Sequence, residues 1–347
     1  VTAELRNTYF TSMTVDKEFV PWHPPAVPDE VDLPDPVYFG EVLAAMDGSM
    51  DTTGLTFYMT QDLERLPSYG SDVVVLLMGD EFTRVPSYFG DVLAIFKNYP
   101  VRPALTTSVL REPSWMNFWW LVAYGRTWAH HLPGARRYRR HRRDGGRAAP
   151  IWRLPVGAAN QVELPVKPLE ERGTDLFFAG SILHRPGAVS KARERLGPKT
   201  IAREAMLAQA ETLAAKHREL SVEMVITREF VDSIVADRHS YSEKLMDSRI
   251  ALVPRGTAPD TYRFWQALRC GCITVVDTVP RDRNFYDGAP VVRLSRWEQL
   301  EETVMPLLSD PARMRELHER SLDWWRTRGS PQAVGSFMAE RLDGLRV

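Results

Sequence analysis

Two unbroken apolar runs, IALVP (250–254) and CITVV (272–276), bracket a loop and one short helical stretch. Apolar runs of that length without polar alternation read as strands covered on both faces, as in parallel sheets. Parallel neighbours need a crossover, and TYRFWQALR (261–269) supplies a helix for it. Asp260 or Thr261 caps that helix and Gly271 stops it. Arg255 and Gly256 then fall at the carboxyl end of the first strand, where open α/β sheets bind ligands.

The same alternation runs through the rest of the second half. TDLFFAGSI (174–182), SVEMVIT (221–227) and APVVRLS (289–295) read as strands. Helical patterns cover 187–217, broken near Gly197 and Pro198, then SYSEKLMDS (240–248), 296–308, 310–327 and 331–343. In the first half LTFYM (55–59), DVVVLLMG (72–79) and IWRLPVG (151–157) read as strands. YFGDVLAIFKNY (88–99) and PSWMNFWWLVAYGRTWAHH (113–131) read as helices, with His130 and His131 as cations at the second helix's end. RPALTTSVL (102–110) reads as an edge or short strand, and the proline-rich stretch 20–36 as an extended arm over the first domain. The expected fold class is α/β, with two domains, the second a doubly wound parallel sheet. Residues 1–165 form the first and 166–330 the second, and 331–347 a helical tail.

Composition narrows the class of function. A 347-residue chain, 44% hydrophobic and 26% charged, is globular, and a net charge of −1 gives no global attraction to nucleic acid. The two cysteines, Cys270 and Cys272, flank one glycine, too close for an unstrained bridge, and no histidine nearby completes a metal set. They are expected as packing thiols in a reducing compartment. No stretch reaches the ~18 apolar residues of a membrane span, and the mixed, polar start is unlike a signal peptide. A valine at position 1 fits an alternative start codon and a bacterial source. The expectation is a soluble, cytoplasmic protein; the sequence does not define an oligomeric state.

Seven arginines fall within 134–147, flanked by Gly134, Gly145 and Gly146, and are expected as a surface loop; nucleic-acid binding through them is the weaker alternative. Trp115, Phe118, Trp119, Trp120 and Tyr124 recur at helical spacing, mostly as a core stripe, with one or two placed to stack on a sugar. Neither G-x-x-x-x-G-K-[ST] nor a G-x-G-x-x-G after a strand occurs, which disfavours P-loop ATPases and NAD enzymes. Arg255 and Arg263, with the free N–H groups of the 262–269 helix, make an anion site suited to a phosphate-bearing ligand.

Over about 36 residues, YSEKLMDSRIALVPRGTAPDTYRFWQALRCGCITVV resembles the exostosin-like glycosyltransferases of family 47. Tyr241, Leu245, Ser248, Pro254, Arg255, Gly256, Thr261, Arg263, Phe264, Ala267, Leu268, Gly271, Cys272 and Ile273 match that signature in order. DLFFAGSILHRPGAVSKARERL (175–196) resembles the family's Phe-x-Gly strand and arginine-bearing segment, and VVVLLMGDE (73–81) the strand and acidic turn of its bacterial members. The resemblance implies a GT-B fold of two Rossmann-like domains that face a cleft, with the helix over 331–347 returning to the first, and a metal-independent, usually inverting transfer from a nucleotide sugar, commonly UDP-linked. The donor would lie against Pro254, Arg255, Gly256, Thr261, Arg263, Gly180 and Arg185. Gln266 stands where the family has a glutamate that grips the donor ribose. The acceptor, a glycan or small natural product, needs a base for its hydroxyl. Glu81, then Asp80, are the candidates at the end of a strand, with His184 behind them. No metal or other cofactor, no nucleic acid and no membrane span is expected. The rival is a degenerate protein of the same fold that binds a nucleotide sugar or a partner enzyme without turnover, motivated by Gln266.

Overall fold

The structure, a computed structural model, describes residues 5–14, 17–26, 35–106, 110, 112–159, 161–182, 197–227 and 238–345. The described chain divides into two compact α/β units. The first holds residues 1–104, 124–159 and 329–347; the second holds 105–123 and 160–328. In chain order the first half contains β1 (Thr8–Thr11), β2 (Val20–Trp22), α1 (Asp35–Ser49), β3 (Thr56–Thr60), β4 (Gly70–Leu77), β5 (Val92–Lys97), α2 (Trp115–Arg143) and β6 (Ile151–Arg153). Then follow β7 (Thr174–Ser181), α3 (Pro198–Lys216), β8 (Val222–Thr227), α4 (Arg238–Met246), β9 (Ser248–Val253), α5 (Tyr262–Arg269), β10 (Ile273–Val276) and β11 (Val291–Arg293). The helices α6 (Leu300–Leu308), α7 (Pro311–Trp324) and α8 (Pro331–Asp343) end the chain.

In the first unit the sheet runs β2-β1-β3-β4-β5-β6, parallel except for the antiparallel β1–β2 pair at one edge. The proline-rich stretch therefore begins as an edge strand, the place where a strand tolerates proline. Residues 88–99, which their spacing predicts as a helix, form a 3-10 turn at Ser87–Gly90 and then β5. All six residues of β5 are buried between β4 and β6, and a short run covered on both faces carries no period to separate strand from helix. Residues 102–106 and 110 form no strand, and 107–109 lie outside the described residues.

The arginine run is also not a loop: α2 continues through it, with Pro133 inside the helix. His131, Gly134, Ala135, Tyr138 and His141 turn inward at helical spacing, a stripe of aromatic and small residues between the arginines. Tyr138 packs on Phe89 with ring centroids 5.1 Å apart and donates its hydroxyl to Ala149 O at 3.1 Å. His131 is accordingly mid-helix and buried, and burial pulls its pKa down, so it is not the terminal cation its position predicts.

The helix α8 packs on α1 within this first unit. At their contact Gly335 lets the backbones approach: a Cβ there would lie 2.7 Å from Val42 O and 2.8 Å from Met46 N. Asp47 ties α1 to the amino-terminal strand, accepting from Tyr9 Oη and Asn7 Nδ2, each at 2.6 Å.

The second unit is an all-parallel sheet in the order β11-β10-β9-β7-β8. Its core sets Leu176, Phe178, Ile250, Leu252, Ile273 and Val275 of the strands against Met206 and Leu213 of α3 and Leu300 and Val304 of α6. Cys270 and Cys272 are free and buried, and burial raises their thiols to about 12 and about 11, so both pack as inert groups. Replacing Gly335 by alanine is expected to cost about 1–3 kcal/mol by overpacking. It should appear as a lower thermal midpoint, whereas Glu340→Ala on the exposed side of α8 should leave the midpoint unchanged.

Candidate functional site

In the second unit, strands consecutive in the chain, β8 and β9, lie on opposite sides of β7. The connections diverge at that point and leave a crevice beyond the carboxyl ends of β7 and β9, the place where open α/β sheets bind ligands. Ala179, Gly180 and Ser181 end β7; Pro254, Arg255 and Gly256 follow β9; Asp277 follows β10.

Arg255 is held from two directions. Its backbone N–H donates to Asp277 Oδ1 at 2.9 Å and its Nε–H to Oδ2 at 2.6 Å, with both side chains fully buried. Its guanidinium carbon lies 5.2 Å from the ring centre of Trp120. The pair with Asp277 uses only Nε. Nη1 and Nη2 are buried and have no hydrogen-bond partner among the described residues. Buried donors left unmet cost about 1–3 kcal/mol each, so such groups mark a place built for something else.

Three more cations converge on the end of β7. Arg263, in the first turn of α5, donates Nε–H to Ala179 O and lies over Phe178. It fits only because residue 180 is glycine: a Cβ there would fall 1.8 Å from Arg263 Nη2, at a φ of +152°. Arg203 of α3 donates Nη1–H to Ser181 O, and its Nε is buried without a partner among the described residues. Lys199, one helical turn earlier, donates to Ser181 Oγ at 3.3 Å. Burial pulls the pKa of Arg263 down, opposed by Tyr241. Burial and then the positive field of Arg263 pull Arg203 well down, and Asp277 opposes them. Four basic side chains thus lie at the ends of two neighbouring strands, β7 and β9, and an anion between Arg203 and Arg263 would relieve their repulsion. At the start of α5, Thr261 Oγ1 is also buried and unpartnered among the described residues, beside the helix's free N–H groups.

Among the residues predicted from sequence, Gly180, Arg255, Gly256, Pro254, Thr261 and Arg263 lie in this crevice or its walls; Arg185 and His184 fall outside the described residues. Gln266 differs from its expected role. Its side chain is buried and its Oε1 accepts from Tyr241 Oη at 2.7 Å, while Gln161 Nε2 donates to its backbone carbonyl at 3.3 Å. It locks α4 to α5. A neutral amide avoids burying a carboxylate charge at that contact. Asp80 also differs. It is buried between Lys97 Nζ at 2.8 Å and Arg84 Nε at 2.9 Å. Burial pushes its carboxyl up, but Lys97 and Arg84 more than offset this and hold it below the usual range. A carboxylate so paired is a weak base and a structural anchor for the end of β4. Glu81 beside it is half-buried, its amide donating to Gly79 O at 3.0 Å.

Of the aromatic stripe, Trp120 is buried, while Trp115 and Phe118 are exposed. Sequence reasoning missed Lys199, Arg203 and Asp277. The first two are four apart in a helix opened by Gly197 and Pro198, a spacing that places them on one face. Among the described residues no three His, Cys, Asp or Glu side chains gather as a metal set, and no helix is long and apolar enough to cross a membrane.

No protein-family model matches the sequence, and no curated protein matches it. Solved structures to which it is similar include glycosyltransferases. The GtfA/B complex superposes with a TM-score of 0.44 at 12% identity over 84% of this chain and 57% of that one. The pneumococcal O-GlcNAc transferase GtfA, solved with UDP and GlcNAc, gives 0.42 at 10% identity over 84% and 57%. AviGT4, a glycosyltransferase involved in avilamycin A biosynthesis, gives 0.41 at 12% identity over 99% and 98%. The chain thus spans just over half the length of the first two. At these identities and superpositions the neighbours carry no weight for substrate or mechanism.

Asp277→Ala is expected to lower the stability of the second unit by about 3–5 kcal/mol, because it strands the Arg255 charge. The joint replacement Arg255→Met with Asp277→Leu should recover most of that loss in chemical denaturation. An Asp277→Ala protein as stable as the parent would mean that the pair is not structural.

Proposed function

We propose that the chain is a glycosyltransferase that takes a nucleoside-diphosphate sugar, UDP-linked, and passes the sugar to a hydroxyl of a glycan or small natural product. The observation that carries this reading is the buried group of Lys199, Arg203, Arg255 and Arg263 at the ends of β7 and β9, with Arg255 Nη1 and Nη2 unpartnered among the described residues. A diphosphate matches that demand in charge and in the forked geometry guanidinium groups prefer.

In such a transfer the acceptor oxygen bonds to the anomeric carbon, the carbon–oxygen bond to the diphosphate breaks, and the electron pair leaves with the diphosphate. Cations fixed before the reaction stabilise that developing charge without reorganising. This is the task a metal performs elsewhere, and the reading is a metal-independent one. Arg255 and Arg263 would bind diphosphate oxygens, with Arg203 and Lys199 behind them. Gly180 keeps the space that Arg263 occupies. Thr261 and the start of α5 would offer hydroxyl and N–H donors to the same anion. The reading is an inverting one, which needs a base for the acceptor proton; that role is assigned to Glu81, since Asp80 is spent on its ion pairs. The 241–273 signature supports an exostosin-like enzyme within this class. The buried Gln266 does not touch the ribose in this scheme and so is no sign of lost activity.

Incubation with UDP-, GDP- and dTDP-sugars, followed by melting and by slow hydrolysis, tests the reading. A true donor at about a hundredfold excess over its dissociation constant is expected to raise the midpoint by about 5–10 °C and to release nucleotide. Gly180→Ala and Arg263→Lys should each remove most of the shift. No response to any nucleotide would overturn the proposal, and stabilisation without turnover across varied acceptors would favour a binding protein.

A further inference from the structure

We propose that the first unit carries a second anion site, a pocket that takes a compact sugar bearing two or more phosphate or carboxylate groups. The pocket, of about 460 Å³, lies within the first unit and is lined by Arg102, Arg139, Arg142 and Arg143, with half-buried Val101 and Ile151 among its walls. Arg139, Arg142 and Arg143 stand at i, i+3 and i+4 on α2 and so share a face. Arg102, Arg139 and Arg142 form no ion pair among the described residues, and Arg143 reaches only its exposed neighbour Asp144, at 3.8 Å. No acidic residue lines the pocket among the described residues.

Four exposed guanidinium groups border one hollow. Each offers a fork suited to phosphate or carboxylate. The apolar walls suit the carbon face of a sugar ring, and the volume lies in the range of small-molecule sites. A nucleic-acid surface would draw on the whole run, whose Arg136 and Arg140 do not line this pocket. The division of one helix's arginines into those around a hollow and those facing elsewhere favours the compact ligand. His131, which also lines it, is fixed by its Nδ1 contact with Thr83 O at 2.6 Å and keeps the wall rigid.

The test is calorimetric titration of the full chain with glucose 1,6-bisphosphate, a digalacturonate and a single-stranded RNA, at two salt concentrations. One of the two sugars is expected to bind at a single site, with shallow salt dependence. The pair Arg139→Ala and Arg142→Ala should weaken it at least tenfold, while Arg136→Ala with Arg140→Ala on the same helix should leave it unchanged. The proposal is overturned if neither sugar binds, or if RNA alone binds with steep salt dependence and both double variants lose it equally. Melting of the Arg139/Arg142 variant with UDP-sugar separates the two readings. A retained UDP effect with lost sugar binding supports this site beside the donor site. Sugar binding in a parent chain that ignores every nucleotide sinks the donor reading and leaves this pocket standing.

Discussion

The buried pair of Arg255 and Asp277 is the contact on which the second unit's ligand end depends. It joins the residues that follow two adjacent parallel strands, β9 and β10, through both the backbone and the side chain of Arg255. Ion pairs this deep do little for net stability against an apolar substitute, because both charges give up water. What the pair does is aim. With Nε committed to the carboxylate, the plane of the guanidinium is fixed and its two remaining nitrogens point one way. Trp120 closes the face of that plane.

Around this fixed point the other cations are set by local backbone rather than by partner acids. Arg263 and Arg203 donate to the carbonyl oxygens of Ala179 and Ser181, which orients them without cancelling their charge. Gly180 lies between those two carbonyls and yields its side-chain volume to Arg263. A carboxylate for each arginine would have been more stable and chemically silent. The arrangement instead keeps cations buried without matching acids: burial depresses Arg263, and burial and then the field of Arg263 depress Arg203.

Much of this was legible in the sequence because the second unit is a plain alternation of buried strand and helix. The runs at 174–182, 250–254 and 272–276 lie where they were read, and so does the helix that Thr261 precedes. The first unit was harder for identifiable reasons. The strand β5 is buried along its whole length and has no period to read. The helix α1 went unassigned because its buried set includes Asp35 and Asp47, polar residues satisfied only by distant partners such as Tyr9. The extension of α2 through the arginines depends on a stripe of His131, Ala135 and Tyr138 that no hydropathy count picks out. At the site, Arg255 and Arg263 were recognisable by motif. Lys199 and Arg203 were not, since a lysine and an arginine four apart usually face solvent; only the sheet order brings them to the end of β7.

Under the proposed function, Arg255 presents the two nitrogens left unpartnered among the described residues to a nucleotide's diphosphate. Guanidinium ¹H–¹⁵N spectra recorded while UDP is added measure this most directly. The account predicts that the Arg255 Nη resonances move and sharpen as rotation about Nε–Cζ slows, while its Nε–H, already on Asp277, stays in place. Arg255 signals that do not change at saturating UDP would contradict it.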